Sequence, residues 1–409
     1  MPTQGELKFE ELGWEPGCSL TEKSLILYTE EEKEFRRDFN QYCREELLPK
    51  ANKFYAENPT YEEALRIWRE IPRKYTMKHL PTYFGGGGCE KNPMIHNIFE
   101  EEINAISYSI ENVGRTAMFC LDIESFMTEE QREKWLRPMV EFKTKGADCI
   151  TEPTSGSDVY GGMKTRAVRD GDYYIINGEK CFITAGSKAD VMAIYCITNP
   201  DVHPHDGMSI IMMSADTPGF SVVKDYQLMG RIGTVLSHLK FENCRVPREN
   251  LIGKENGGSE IFEWRMDWVR TDCCFRSVGL ARSCFEIAAK FVQERLRFGR
   301  RLSQFEGVSF KLVDMYTKIE TARLLGIKAA RALEKYDRAP KEAAHAKLYA
   351  ADMAPWVCGQ ALWLLGAIGY TTLYPVERIY RDTTVEPISE GASLAMKYLV
   401  QREIYKDLR

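Results

Sequence analysis

The chain has 409 residues and a net charge of −5, from 60 acidic and 55 basic residues. This length is enough for two or three domains around a substantial hydrophobic core. Charges of both signs are interspersed, so the composition gives no reason to expect nucleic-acid binding. No apolar run approaches the length of a bilayer-spanning helix, and we expect no membrane insertion.

Cysteine usage and the N-terminus indicate the compartment. The twelve cysteines are scattered and include no Cys-x-x-Cys pair, so the spacing of a metal site or redox motif is missing. Reduced thiols are the default for such a pattern. Residues 1–6 carry an acidic residue where a signal or transit peptide would carry basic ones. The sequence therefore predicts a cytoplasmic protein without a metal ion.

The first part of the chain, between residues 30 and 139, has a helical pattern. Residues 31–55 mix Phe35, Phe39 and Leu47 with charged side chains, as an amphipathic helix does. Thr128 is followed three residues later by Gln131, which predicts a capping box at the start of a further helix. We assign residues 1–150 to an N-terminal α-helical domain.

The pattern changes at Thr151, where a turn-rich loop over residues 151–158 precedes short strand-like runs. Residues 173–176, 191–195 and 208–212 are rich in β-branched and aromatic side chains, and residues 239–242 predict another strand. Asn177-Gly178 after the first run predicts a β-hairpin turn. We assign residues 151–253 to a central β-barrel-like domain.

From residue 258 the pattern is helical again, and we assign residues 254–409 to a C-terminal four-helix bundle. Helices, a small β-domain and a helical bundle together predict an α+β fold. Gly366 and Gly369 do not form a dinucleotide fingerprint, because no strand precedes them. The sequence therefore does not indicate a Rossmann fold.

A short stretch near the C-terminus, residues 386–393, combines two glutamates with residues that interrupt helices. Pro387 disfavours helix at Glu386, and Gly391 lets the backbone pass close to a neighbour. Taken alone, Glu390 is explained as a solvated residue beside a helix N-terminus. Stretches at matching distances elsewhere in the chain favour a different role.

This stretch resembles the Tyr-Glu-Gly-Thr segment of the acyl-CoA dehydrogenases, flavoenzymes that desaturate acyl-CoA thioesters. The resemblance rests on several separate motifs along nearly the whole chain, and the family has the three-part layout given above. It implies that Glu390 is the base that removes the substrate α-proton. Glu386, in the same stretch, is the alternative carboxylate. Val269 stands where some members carry their base, which leaves Glu390 in that role.

Dehydrogenation also needs a hydride acceptor, which no protein side chain supplies, and the family uses FAD. The loop that begins at Thr151 resembles the family's Thr-Glu-Pro…Gly-Ser-Asp loop, although a loop built only for turning would use similar residues. The resemblance implies that Thr151 bonds the flavin ring and that Ser157 approaches the cofactor and the CoA phosphates. Phe182 stands for the family's Trp over the flavin face, and Thr184 is implied to bond flavin N5.

A Glu-Arg-x-x-Phe-Gly motif at residues 294–299 resembles another cofactor segment of the family. It implies that Arg295 pairs with the FAD pyrophosphate of a neighbouring subunit, a role suited to a planar guanidinium. The alternative is an ordinary surface arginine. Cofactor contacts are also implied for Phe298, Gly366 and Gly369. Two positions depart from glutamines of the family: Glu306 and Trp363.

The resemblance also implies contacts with the substrate. Arg270 corresponds to an arginine that contacts CoA, with a helix salt bridge as the alternative role. Ser157 and Gly391 are further implied contacts, and the backbone N–H of Glu390 is implied to hold the enolate oxygen. The resemblance also implies a homotetramer that passes electrons to electron-transferring flavoprotein.

Two features of the sequence indicate what kind of acyl group the substrate carries. Ser389, Ala392 and Phe182 are smaller than their family counterparts, which leaves room for a bulky acyl group unless neighbours refill the space. Arg115 lies in an Arg-Thr-Ala-Met segment that resembles the Arg-Ser-Ala-Met of glutaryl-CoA dehydrogenases, whose arginine binds a distal carboxylate. The sequence therefore favours a bulky dicarboxylic thioester.

A buried cation is costly unless it is paired, so the alternative for Arg115 is an ion pair with Glu111 or Glu124. An aryl-substituted succinyl-CoA such as (R)-2-benzylsuccinyl-CoA, an intermediate of aromatic degradation, meets both requirements. Glutaryl-CoA or a cyclic or branched acyl-CoA is the runner-up. From other classes, an acyl-CoA oxidase and a catalytically silent flavin-binding assembly protein stay open.

Overall fold

The computed structural model describes residues 25–77, 82–84, 86 and 92–408. Residues 1–6, on which the prediction about targeting rests, lie outside these ranges. No helix in the described ranges carries the apolar stretch that crossing a bilayer requires. Nor do these ranges place three or more His, Cys, Asp or Glu side chains together as a metal site. Nine cysteines described there are free and buried.

The N-terminal part is helical, as predicted, and Thr128 forms the expected capping box with Gln131. Most of the fifth helix is buried, so it forms the core of this part. The helices are α1 (Glu30–Tyr42), α2 (Leu48–Glu57), α3 (Tyr61–Glu70), α4 (Arg73–Thr76), α5 (Pro93–Ile106), α6 (Tyr108–Ala117), α7 (Glu129–Gln131) and α8 (Arg137–Val140).

The central part is an eight-stranded sheet. Its strands are β1 (Gly146–Cys149), β2 (Arg166–Asp170), β3 (Tyr173–Thr184), β4 (Val191–Ile197), β5 (Met208–Ser214), β6 (Phe220–Tyr226), β7 (Leu236–Pro247) and β8 (Leu251–Ile252). They lie in the order β6-β7-β3-β2-β4-β5-β8, with β1 pairing parallel to β4. The four predicted strand runs lie within β3, β4, β5 and β7, and β1 lies before the boundary predicted at residue 151. A short helix, α9 (Pro204–Gly207), connects β4 to β5.

The hairpin turn predicted at Asn177-Gly178 is wrong. β3 continues through these residues, and its register with β7 shifts between Ile176 and Gly178, which marks a β-bulge. A Cβ at Gly178 would lie 2.7 Å from the Thr165 Cα, so the glycine allows two backbone segments to approach.

The C-terminal part is a helical bundle, which completes the predicted α+β fold. A hairpin of β9 (Leu296–Arg297) and β10 (Arg300–Arg301) joins its first two helices. The helices are α10 (Gly258–Glu294), α11 (Glu306–Tyr336), α12 (Pro340–Leu365), α13 (Val376–Thr383) and α14 (Ser393–Asp407).

A buried ion-pair network ties the bundle to the N-terminal helices. Glu101 and Glu102 of α5 pair with Arg36 of α1, Arg282 of α10 and Arg323 of α11. Burial raises the pKa of Glu102, but the surrounding guanidinium groups outweigh burial and hold it below its usual range. This network therefore fixes α5 against α1, α10 and α11.

Candidate functional site

Glu390 lies in the turn between α13 and α14 and has an unusual backbone conformation. Its φ is 53°, and Gly391 beside it has a φ of 100°. A left-handed conformation costs a residue such as glutamate about 1–3 kcal/mol and persists only where the surroundings impose it. A Cβ at Gly391 would also collide with the Met396 side chain. The turn therefore presents Glu390 in a conformation that needs external support.

That support comes from α12. The Lys347 ammonium donates hydrogen bonds to the backbone oxygens of Glu386 (2.9 Å) and Gly391 (2.6 Å), which lie on either side of Glu390. The Ser393 backbone N–H donates to the Pro387 oxygen (3.0 Å). Sequence reasoning missed Lys347, although a lysine among the alanines of α12 was a signal.

Glu386, the alternative base, is occupied by a salt bridge. Its carboxylate accepts hydrogen bonds from Arg276 Nε (3.0 Å), Arg276 Nη2 (3.2 Å) and Ser277 Oγ (3.1 Å), and the side chain is fully buried. Burial raises the pKa of Glu386, but Arg276 outweighs it and the pKa lies below its usual range. A carboxylate paired in this way is a poor proton acceptor, which leaves Glu390 as the candidate base of the turn.

Arg270 lies next to the same turn. A Cβ at Gly391 would be 3.9 Å from Arg270 Nε, and this Nε is buried without a hydrogen-bond partner. Burial lowers the pKa of Arg270, and the Asp267 and Glu390 carboxylates oppose that effect. Asp267 itself is bonded by Arg338 Nε at 2.7 Å. A desolvated guanidinium with an unused donor beside Glu390 suits an anionic or carbonyl group of a ligand.

A buried ion pair fixes the loop that begins at Thr151. The Glu152 carboxylate accepts hydrogen bonds from Lys180 Nζ (2.9 Å) and from the backbone N–H of Lys164 (2.7 Å) and Thr165 (3.0 Å). The Cys181 N–H donates to the Thr151 oxygen at 2.9 Å. Thr151 is thereby held beside β3, a role of Glu152 and Lys180 that sequence reasoning did not identify.

Phe182 and Thr184 lie at the C-terminal end of β3, near this loop. Phe182 has a φ of 56°, is 56% exposed and stacks on Tyr226 with ring centroids 4.7 Å apart. Thr184 pairs with Leu236 at the end of the strand. Thr151 is bonded to β3 next to Phe182, and Thr184 follows Phe182 by two residues in the same strand. Two hydroxyl side chains and an exposed aromatic ring are the kinds of polar donor and apolar cover that a flavin ring needs. These residues therefore fit FAD, and Ser157 lies exposed in the same loop.

The other predicted cofactor residues lie at the far end of the bundle. Arg295 follows α10, and Phe298 is 94% exposed at the tip of the β9–β10 hairpin. Gly366 ends α12 with a φ of 67°, and a Cβ at Gly369 would lie 2.5 Å from the Leu362 oxygen. No contact between these residues and Thr151 is observed in the described part of the chain, so their cofactor contacts, and the pairing of Arg295 across subunits, stay predictions.

Arg115 has a partner that the sequence did not indicate. Its Nη2 bonds Asp272 Oδ2 of α10 at 3.0 Å, and His96 Nε2 of α5 approaches the same oxygen at 3.2 Å. The predicted alternatives are placed differently. Glu124 pairs with Arg132, whereas the carboxyl oxygens of Glu111 are buried without hydrogen-bond partners.

The groups around Arg115 have strongly shifted pKa values. Burial lowers the pKa of His96, but the Asp272 carboxylate outweighs burial and raises it to about 9. Burial and the facing Glu111 raise the pKa of Glu100 to about 8. Burial also raises the pKa of Glu111, against the effect of Arg115. At neutral pH this cluster therefore combines the Arg115 and His96 cations with the Asp272 carboxylate, whose pKa they hold below its usual range against the effect of burial, while Glu100 favours its protonated form.

The comparisons with known proteins cover nearly the whole chain. Models of the acyl-CoA dehydrogenase N-terminal, middle and C-terminal domains match residues 29–143, 147–244 and 256–405. The acryloyl-CoA reductase (NADH) of Anaerotignum propionicum is 33% identical, over 93% of this chain and 100% of that protein. The CarC subunit of the caffeyl-CoA reductase-Etf complex of Acetobacterium woodii is 38% identical, over 68% of this chain and 73% of that protein.

Solved structures agree with these matches. The glutaryl-coenzyme A dehydrogenase–glutaryl-CoA complex superposes with a TM-score of 0.85 and 27% identity, covering 92% of this chain and 96% of that one. Members of the matched family are FAD-dependent oxidoreductases, and FAD fits the residues described above. The chain belongs to the acyl-CoA dehydrogenase family.

Proposed function

We propose that this chain binds an acyl-CoA thioester and that Glu390 removes the α-proton of the acyl group. FAD, when bound, supplies the two-electron acceptor for the hydride that leaves the β-carbon. The proton passes to a Glu390 carboxylate oxygen, and the electrons of the broken Cα–H bond form the Cα–Cβ double bond. The backbone N–H of Glu390 and the Arg270 guanidinium are the donors that the chain offers to the thioester and to CoA.

One observation carries this proposal. Of the two glutamates in the turn, Glu386 is neutralised by Arg276, whereas Glu390 is held in a left-handed conformation beside Arg270. Strained backbone conformations that the surroundings impose are concentrated at functional sites.

The proposed substrate is a bulky dicarboxylic thioester such as (R)-2-benzylsuccinyl-CoA. The surroundings of Arg115 support a substrate with a distal carboxylate, because Asp272 is bonded by both Arg115 and His96. Asp272 therefore keeps a cationic partner when Arg115 turns to a ligand. The small side chains around Glu390 support a bulky acyl group. Among them, Ser389 Oγ is buried without a hydrogen-bond partner. Glutaryl-CoA and cyclic or branched acyl-CoA thioesters are the alternatives.

A substrate screen under anaerobic conditions tests the proposal. FAD-loaded protein is mixed with (R)-2-benzylsuccinyl-CoA, glutaryl-CoA, butyryl-CoA and cyclohexanecarboxyl-CoA, and loss of the visible flavin absorption is followed. We expect bleaching, fastest with the benzylsuccinyl thioester. No bleaching with any thioester would favour a silent flavin-binding protein, and rapid reoxidation of bleached enzyme by air would favour an oxidase.

We also propose that electron-transferring flavoprotein accepts the electrons and that the protein is a homotetramer. A similar protein is named as part of a reductase-Etf complex, and Phe298, Trp363 and Tyr370 expose large apolar surfaces at one end of the bundle. The purified protein should contain one FAD per subunit and elute as a tetramer in size-exclusion chromatography with light scattering. A monomer that retains FAD would contradict the assembly proposal.

A further inference from the structure

The position of Lys347 in the fold is unfavourable for a charged side chain. It lies in an alanine-rich part of α12 and is fully buried. Removing an ammonium group from water is unfavourable unless hydrogen bonds and charges compensate it. Burial accordingly lowers the pKa of Lys347, and the Glu386 and Glu390 carboxylates are among the groups that oppose this effect. A methionine of similar length would pack there without that cost.

Both carbonyl oxygens that accept hydrogen bonds from Lys347 belong to the turn that carries Glu390. The Glu386 oxygen lies before Glu390 and the Gly391 oxygen lies directly after it. One ammonium group therefore joins the two ends of the turn. Since these bonds are made to the backbone, they restrain the backbone of Glu390 whatever its side chain does.

A second contact anchors the same turn from α10. Arg276 and Ser277 bind the Glu386 carboxylate, while Lys347 binds the Glu386 backbone oxygen. Residue 386 is thus fixed between α10 and α12, and the strained Glu390 is held relative to that fixed point.

We propose that Lys347 is a positioning residue that holds Glu390 in the geometry needed to accept the α-proton. This inference rests on the proposed role of Glu390 as base. Lys347 acts through the two carbonyl oxygens and needs no contact with substrate or cofactor. Loss of its donors would let the turn relax toward an unstrained backbone and move the carboxylate away from the α-carbon.

The test compares Lys347→Met, which removes both donors, with Lys347→Gln, which keeps an amide donor on a shorter side chain. Lys341→Met is the matched control, because Lys341 also lies on α12 but forms an exposed ion pair with Asp407. Flavin reduction is measured by rapid mixing, using glutaryl-CoA or (R)-2-benzylsuccinyl-CoA, whichever bleaches wild type faster. FAD content and Tm are recorded for each protein.

A displacement of about 1 Å can cost about 10²-fold in rate, so Lys347→Met should slow flavin reduction by about 10- to 100-fold. The KM for the thioester and the FAD content should stay near wild type, Lys347→Gln should fall between, and Lys341→Met should be unchanged. The inference would be overturned if Lys347→Met reduced flavin at the wild-type rate. It would also be overturned if the variant lost FAD and gained a higher KM to the same extent as its rate fell.

Two further outcomes keep this inference separate from the proposed function. If Lys347→Met does not fold, Lys347→Gln decides, and a wild-type rate for folded Lys347→Gln with an unchanged KM would count against positioning. If Glu390→Gln still reduces flavin normally, the proposed function fails first. If Glu390→Gln is inactive while Lys347→Met is normal, only the positioning role is lost.

Discussion

Replacing Glu390 by glutamine is expected to leave FAD and acyl-CoA binding intact and to slow flavin reduction by about 10²–10⁴-fold or more. The amide has nearly the same shape as the carboxylate but cannot accept the α-proton. Hydride loss from the β-carbon depends on removal of that proton, so both steps are suppressed together. Rapid-mixing absorbance measures the rate, and a binding titration with the thioester measures affinity.

Glu386→Gln is the matched comparison, because it changes the other glutamate of the turn. The variant leaves the buried Arg276 with a weaker partner, so it should lower stability more than Glu390→Gln does. Near-normal flavin reduction by Glu390→Gln, with loss in Glu386→Gln, would transfer the role of base to Glu386.

Arg115→Met is expected to lower kcat/KM for a dicarboxylic thioester without a comparable loss for a monocarboxylic one. Losing a charge-assisted contact to a buried carboxylate costs about 2–5 kcal/mol, or between about 30-fold and several thousand-fold. The two substrates are (R)-2-benzylsuccinyl-CoA and the thioester in which a methyl group replaces its carboxylate. The measured quantity is the ratio of their kcat/KM values in wild type and variant.

Arg132→Met is the control, since Arg132 forms an ion pair with Glu124 outside the cluster.

Asp272→Asn is expected to change the substrate preference in the opposite direction. It removes the charge that competes with a substrate carboxylate for Arg115, so the preference for the dicarboxylic thioester should rise. Equal losses on both substrates in Arg115→Met would identify the Arg115–Asp272 pair as structural and remove the support for a dicarboxylic substrate.

The strands and helices were largely predictable because local patterns determine them. β4 is a continuous apolar run and β5 is largely apolar, and the capping box at Thr128 needs residues only three positions apart. The prediction at Asn177-Gly178 was wrong because this dipeptide, taken locally, is typical of a hairpin turn. Pairing of β3 with β7 instead absorbs the glycine as a bulge, and a partner strand more than fifty residues away decides that outcome.

The site was predictable where it consists of motifs and unpredictable where it depends on tertiary contacts. Thr151, Phe182, Thr184 and Glu390 lie in short recognisable segments. The residues that hold them do not, since Lys347 is 44 residues from Gly391 and Arg115 is 157 residues from Asp272. Only the folded chain brings such pairs together, so a lysine among alanines marks an unusual position in the sequence but does not indicate which residues it contacts.

Exchange of the substrate α-hydrogen with solvent tests the central claim, that Glu390 is the base, most directly. FAD-loaded wild type and Glu390→Gln are incubated anaerobically in D2O with the thioester that bleaches wild type fastest, and deuterium at the α-carbon is measured by mass spectrometry. We expect wild type to introduce deuterium at the α-carbon and Glu390→Gln to introduce none above the enzyme-free background. Exchange by Glu390→Gln at the wild-type rate would contradict the account.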